Sequence, residues 1–69
     1  MDHGLRLYVV NPDESVRWQN HFGALETLIA LAAFVEAIAL FPGCTIVLCD
    51  LARNRVISRH EPADVCLPA

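Results

Sequence analysis

The residues best suited to chemistry are three cysteines and a histidine in the second half of the chain. Cys44, Cys49, His60 and Cys66 form the pattern C-x4-C-x10-H-x5-C, and thiolates with an imidazole are ligands of structural zinc. Such sites usually carry a close cysteine pair on a turn, whereas Cys44 and Cys49 lie in one apolar segment that as a strand would point them to opposite faces. We therefore expect reduced cysteines and no cofactor. A small zinc or redox protein built on Cys44, Cys49 and Cys66 is kept as an alternative.

Catalytic machinery is not evident among the remaining polar residues. A cysteine nucleophile needs a base within reach, yet the hairpin predicted below places Cys49 opposite Val56 or Ile57. His60 would lie further along that strand, and His21 on the other side of the helix start. The three glycines are scattered, which is not the pattern of a phosphate-binding loop. The sequence therefore predicts a protein that is not an enzyme.

Arg6, Tyr8 and Arg17 indicate a second kind of chemistry, the stacking of nucleic-acid bases. An open sheet face that carries arginine beside an aromatic ring is how some modules hold single-stranded RNA or DNA. The chain nevertheless has eight acidic against five basic residues, and its formal net charge is -3. Because the usual basic footprint is missing, nucleic-acid binding through these three residues is kept only as an alternative.

Two short strands joined by a turn are predicted for the first part of the chain. LRLYVV (residues 5–10) alternates at period two, as a half-buried strand does. NPDES follows as a turn, because its proline, asparagine and aspartate favour a chain reversal. SVRW is predicted as the second strand, with Val16 and Trp18 on one side and Arg17 on the other.

The segment ALETLIALAAFVEAIALF (residues 24–41) is strongly apolar and holds only two charged residues. As a helix it would rise about 27 Å, close to the ~30 Å of a bilayer core. An acid near the bilayer centre costs about 2.5–3.5 kcal/mol, however, while each large apolar residue returns only about 0.3–0.6 kcal/mol. Because insertion is marginal and the flanks resemble strands, we expect a helix that does not cross a membrane. Glu26 stands at the N3 position of a capping box starting at Gly23, and Pro42 ends the helix.

On a helical wheel this segment has two different sides. Bulky residues form the side predicted to face the sheet, namely Thr27, Leu28, Leu31, Phe34, Val35, Ile38 and Phe41. Small residues and two acids form the opposite side, predicted to be an interface, namely Glu26, Ile29, Ala30, Ala33, Glu36, Ala37 and Leu40.

The small-residue side is unlike an ordinary solvated helix face. Ile29 and Leu40 gain nothing from contact with water, and small side chains let another backbone come close. The expected arrangement is a two-fold homodimer through this side, so that Ala33→Glu, alone or with Ala37→Glu, would give a folded monomer. The alternative is a surface helix whose alanines serve helix propensity.

The last part of the chain predicts a hairpin followed by an irregular tail. CTIVLCDL (residues 44–51) and RVISR (residues 55–59) are apolar and β-branched, with Asp50 roughly opposite Arg55. Residues 61–69 carry two prolines and no periodicity. The predicted fold class is therefore α+β. We expect a single domain over residues 1–69, in the order β-β-α-β-β, with one helix packed on a four-stranded, mainly antiparallel sheet.

Size and composition favour one class of function over the others. A chain of 69 residues that is 55% hydrophobic holds more apolar side chains than a small core hides easily, which favours a surface covered by a partner. We expect a small non-enzymatic protein-binding module with a protein partner. It could be a stand-alone inhibitor of a larger protein or complex, of the phage or mobile-element type that blocks defence systems such as CRISPR effectors. The odd number of cysteines and the absence of a secretory signal predict a reduced, cytoplasmic protein.

Overall fold

The computed structural model describes residues 4–62. Its elements are β1 (Leu5–Val10), β2 (Val16–Phe22), α1 (Thr27–Leu40), β3 (Thr45–Asp50) and β4 (Arg55–His60). The strands form one antiparallel sheet in the order β2-β1-β3-β4. The predicted α+β class and β-β-α-β-β order are confirmed. Most of the predicted tail lies outside the described residues, and only Glu61 and Pro62 follow β4 within them.

The core lies between the two central strands and the helix. Alternate residues of β1 and β3 turn toward α1 and are almost completely buried, and the largest of these are Leu7, Val9, Ile46 and Leu48. Their neighbours along each strand are partly exposed on the opposite face, which is the alternation of a sheet covered on one side. β2 is an edge strand that contributes Phe22 to this core, while its first six residues are exposed.

Both hairpin turns are held by an aspartate that accepts local hydrogen bonds. In the first, Asp13 Oδ1 accepts from the backbone N–H of Ser15 (3.0 Å) and from its hydroxyl (2.6 Å). In the second, Asp50 Oδ1 accepts from the N–H of Ala52 (3.0 Å) and of Arg53 (3.3 Å). Side chains of this kind stabilise turns because they satisfy N–H groups that the ladder leaves unpaired.

Asp50 lies opposite Arg55 in the strand register, as predicted. Its charge partner is different, however, because Arg53 Nη1 lies 3.1 Å from Asp50 Oδ2. The carboxylate turns back over the loop, where one guanidinium and two N–H groups are within reach. The hydrogen bond from the Arg53 side chain is the main cause that lowers the pKa of Asp50.

The helix starts later and ends earlier than the apolar segment. Glu26 Oε1 accepts a hydrogen bond from the Gly23 N–H (2.7 Å), the half of a capping box that a glutamate supplies. The Glu26 N–H donates to the Gly23 carbonyl (3.0 Å), so these residues form a turn before the helix begins at Thr27. Fourteen helical residues rise about 21 Å. Within residues 4–62, no helix has the length and apolar character needed to span a bilayer.

The side of the helix that faces the sheet differs from the prediction. Phe34 is buried and Leu31, Ile38 and Phe41 pack against the core, as expected. Ala30 and Ala37, predicted to face outward, are 0% and 3% exposed, whereas the bulky residues predicted to face inward include three that are exposed: Thr27, Leu28 and Val35. The physical reason lies in the sheet, whose inward side chains are large. Alanines on the facing helix let it approach that surface closely.

Candidate interaction surface

The outward side of the helix is mostly apolar, and Glu36 is the charged residue that lies within it. Four large aliphatic residues of the helix are exposed, from 58% for Ile29 to 82% for Leu28, and Leu25, in the turn just before the helix, is 99% exposed. Two alanines lie between them and are also exposed. We call this set the exposed helix surface, and its residues are Leu25, Leu28, Ile29, Ala32, Val35, Ala39 and Leu40.

The area of this surface is large for so small a protein. A fully exposed aliphatic side chain presents about 100 Å², so the five large residues together present about 370 Å² of apolar area. The largest apolar patch on a typical monomer measures about 300–600 Å² and is often functional. Here the apolar area extends over the whole helix, about four turns, and the exposed charged residue that lies within it is Glu36.

The helix carries this surface because its buried side is narrow. Ala30, Phe34 and Ala37 follow one another at spacings of four and three residues and meet the sheet. That spacing places them on one stripe. The apolar residues of the opposite stripe have no part of residues 4–62 to pack against, since the sheet lies on the other side of the helix.

Seven residues were predicted to form the interface, and the structure divides them. Glu26, Ile29, Glu36 and Leu40 are exposed, Ala33 is partly buried, and Ala30 and Ala37 belong to the core. The two core alanines are therefore an incorrect part of the prediction. Their side chains are covered by the chain's own sheet and are closed to a partner, so the expectation that a variant with Ala37→Glu gives a folded monomer is wrong as well.

The sequence prediction missed five members of the exposed helix surface, which are Leu25, Leu28, Ala32, Val35 and Ala39. One sequence signal could have found four of them. Leu28, Ala32, Val35 and Ala39 are spaced by four, three and four residues, the spacing of a helix-to-helix seam.

A shallow apolar cleft borders this surface on the side of β2. Its volume is about 250 Å³ and its lining residues are Trp18, Ala33, Glu36, Ala37, Leu40 and Phe41. The Trp18 and Phe41 rings stack with centroids 6.2 Å apart. Aromatic contacts of this kind stabilise packing beyond the area they bury, and this one joins the edge strand to the C-terminal end of the helix.

Arg17 does not join the predicted nucleic-acid face. Trp18 pairs with Val9 and Val16 pairs with Val10, so Arg17 is the extra residue of a β-bulge. Its guanidinium carbon lies 5.4 Å from the centroid of the Phe41 ring, on the helix side of the sheet. The prediction that Arg17 shares a face with Arg6 and Tyr8 is therefore wrong, as is the prediction that Val16 and Trp18 share one.

Arg6 and Tyr8 do lie on the sheet face that the helix leaves open. Tyr8 pairs with Gln19 on one side and Val47 on the other, and Arg6 pairs with His21 and Cys49. Both residues are partly buried between neighbouring strands. Arg59 pairs with Val47 and so lies on the same face as Tyr8, where its guanidinium forms an ion pair with Glu61 (2.8 Å).

The cysteines are not brought together. Cys44 is buried in the core on the helix side, and Cys49 lies on the open face, where burial raises the pKa of its thiol. Cys66 lies outside the described residues. Within the described part of the chain, no group of three or more potential metal ligands is found.

No protein-family model, curated protein or solved structure matches this chain. Its own exposed residues are therefore the guide to its function.

Proposed function

We propose that this protein is a small non-enzymatic protein-binding module and that its contact surface is the exposed helix surface. The observation that carries the proposal is the exposure of Leu25, Leu28 and Val35, which are 99%, 82% and 64% accessible. Large aliphatic side chains on a helix usually face a core, and an apolar area of about 370 Å² is within the size range of the largest patch on a typical monomer, which is often functional.

The polar features of the chain offer weaker support for other functions. Base stacking would have to rely on Arg6, Tyr8 and Arg59, because Arg17 lies on the other side of the sheet, and Arg59 is already paired with Glu61. Of the cysteines among residues 4–62, Cys44 and Cys49 lie on opposite faces of the sheet, so a metal or redox site could not use both without a rearrangement. The residues of the exposed helix surface are already accessible, so a partner can contact them without any rearrangement of the chain.

A narrower form of the proposal is a stand-alone inhibitor that occupies a surface of a larger protein, as phage or mobile-element proteins do when they block CRISPR effectors. Its support is the small size of the chain, 69 residues. The cytoplasmic location stays a prediction that rests on the odd number of cysteines.

The proposal is tested by photo-crosslinking in the cells that produce the protein. In one variant a benzoylphenylalanine replaces Leu28. In the control variant it replaces Gln19, a residue that is exposed on the sheet face away from the helix. We expect a protein adduct from position 28 and none from position 19. Adding Val35→Glu should remove the adduct, because a desolvated carboxylate in an apolar contact is costly.

Two results would contradict the proposal. The first is a yield of protein adduct at position 28 no higher than at position 19. The second is an adduct that persists unchanged with Val35→Glu, which would mean that the crosslink arises from random collision.

A further inference from the structure

Within the exposed helix surface, one row of residues alternates in size. Leu28, Ala32, Val35 and Ala39 lie along the outward stripe as large, small, large and small side chains, and all four are exposed. Their spacings of four, three and four residues keep them on one line of a helix that packs against another helix. None of the four carries a charge, so the row can be desolvated without an electrostatic cost.

We propose that the occupant of this row is a second copy of the chain, with the two α1 helices packed antiparallel about a two-fold axis. The inference rests on the proposed function, because it names the partner of the same surface. The axis passes midway between Ala32 and Val35. The two sheets then lie on the outside, and the order of layers is sheet, helix, helix, sheet.

The size alternation is what favours a second copy. In an antiparallel pair centred between Ala32 and Val35, Leu28 of one copy faces Ala39 of the other, and Ala32 faces Val35. Each large side chain therefore meets a small one in every layer, and the row is complementary to itself. A two-fold contact needs exactly this self-complementarity, since the same patch serves both partners.

The area of the surface agrees with a dimer of modest strength. Leu28 and Val35 are the large side chains at the centre of the contact, and even if all five large residues of both copies were covered, the buried apolar area would be at most about 740 Å². This area is below the about 1,200 Å² at which standard-size interfaces begin, in the range of weak and transient contacts. Interfaces of that size belong to reversible complexes, so the dimer is expected to dissociate on dilution.

Cysteine crosslinking tests both the partner and the orientation. One chain carries Leu28→Cys and the other Ala39→Cys, both with Cys49→Ser and Cys66→Ser, while the buried Cys44 is kept. A disulfide forms only between residues whose Cα atoms lie within about 7 Å. In the proposed dimer, position 28 lies beside position 39 of the partner. Two copies of position 28 are about 16 Å apart along the helix axis.

The proposal expects rapid oxidation of the equimolar mixture to a mixed dimer, with each chain alone remaining largely monomeric. Homodimers of the single chains that form as readily as the mixed dimer would overturn the antiparallel arrangement. A mixture that stays monomeric at high protein concentration would overturn self-association. If the mixture stays monomeric but benzoylphenylalanine at position 28 crosslinks a different protein in cells, self-association fails while the proposed function stands. If the benzoylphenylalanine forms no protein adduct, both fail.

Discussion

The rotation of the helix makes a sharp prediction about two alanines five residues apart. Ala37 is 3% exposed and Ala32 is exposed, so Ala37→Glu buries a carboxylate against Phe34 and the sheet, while Ala32→Glu leaves it in water. A buried charge without a partner costs about 3–5 kcal/mol. A domain of this length has a total stability of about 3–10 kcal/mol, so Ala37→Glu should unfold much or all of the protein. Ala32→Glu should change the stability by less than about 0.5 kcal/mol.

The two variants are matched because each exchanges alanine for glutamate inside the same helix. Urea unfolding is followed by circular dichroism and by the fluorescence of Trp18, the single tryptophan, which stacks on Phe41. The protein is kept dilute so that association does not add to its stability. A stable Ala37→Glu together with an unfolded Ala32→Glu would refute the observed rotation. Equal stabilities would contradict it as well.

The remaining predictions concern the turns and the ends of the strands. Gly4→Ala should destabilise the protein by about 1–3 kcal/mol in urea unfolding, because the backbone there has a φ of 103° and an added Cβ would clash with the Phe22 carbonyl oxygen. Gly43→Ala should cost less stability, because its φ of 89° is also positive but an added Cβ there meets nothing within 4 Å. An equal loss of stability for the two variants would show that the clash at Gly4 is relieved. Asp50→Asn should lower the stability at neutral pH, because Arg53 holds the pKa of Asp50 below its ordinary value of 3.8. The stability due to that carboxylate is complete above pH 3.8 and is lost as the pH falls through the lower, folded-state pKa, so the two proteins should converge in acid. A constant difference between them across this range would contradict the role of the charge.

The order of the elements was predictable because each one leaves a local signal. Period-two alternation marks β1, and the apolar run before Pro42 marks the helix. β2 was predicted to be too short, because Gln19, Asn20 and His21 are polar. They are tolerated in a strand because β2 is at the edge of the sheet and exposed.

The residues of the interaction surface were harder to predict because the direction a helix faces depends on the sheet beneath it. A helical wheel alone does not show whether Leu28 and Val35 or Ala30 and Ala37 face the sheet. The choice depends on how much space the side chains of β1 and β3 leave, which is a property of the packed structure. The position of Arg17 was unpredictable for a related reason, since a β-bulge moves one residue to the other face without a mark in the sequence.

The most direct test of the contact through the helix is sedimentation equilibrium on a set of three size variants. The unmodified chain should reach a mass of twice 7.6 kDa at high concentration and dissociate on dilution. Ala32→Val places valine opposite valine in two layers, and overpacking of that kind costs about 1–3 kcal/mol, which weakens association by roughly tenfold or more. Val35→Ala should also weaken it by leaving gaps, and the double variant, which restores one valine and one alanine in each layer, should recover most of the affinity. A chain that stays at 7.6 kDa at all concentrations, or a double variant weaker than both single variants, would contradict the account.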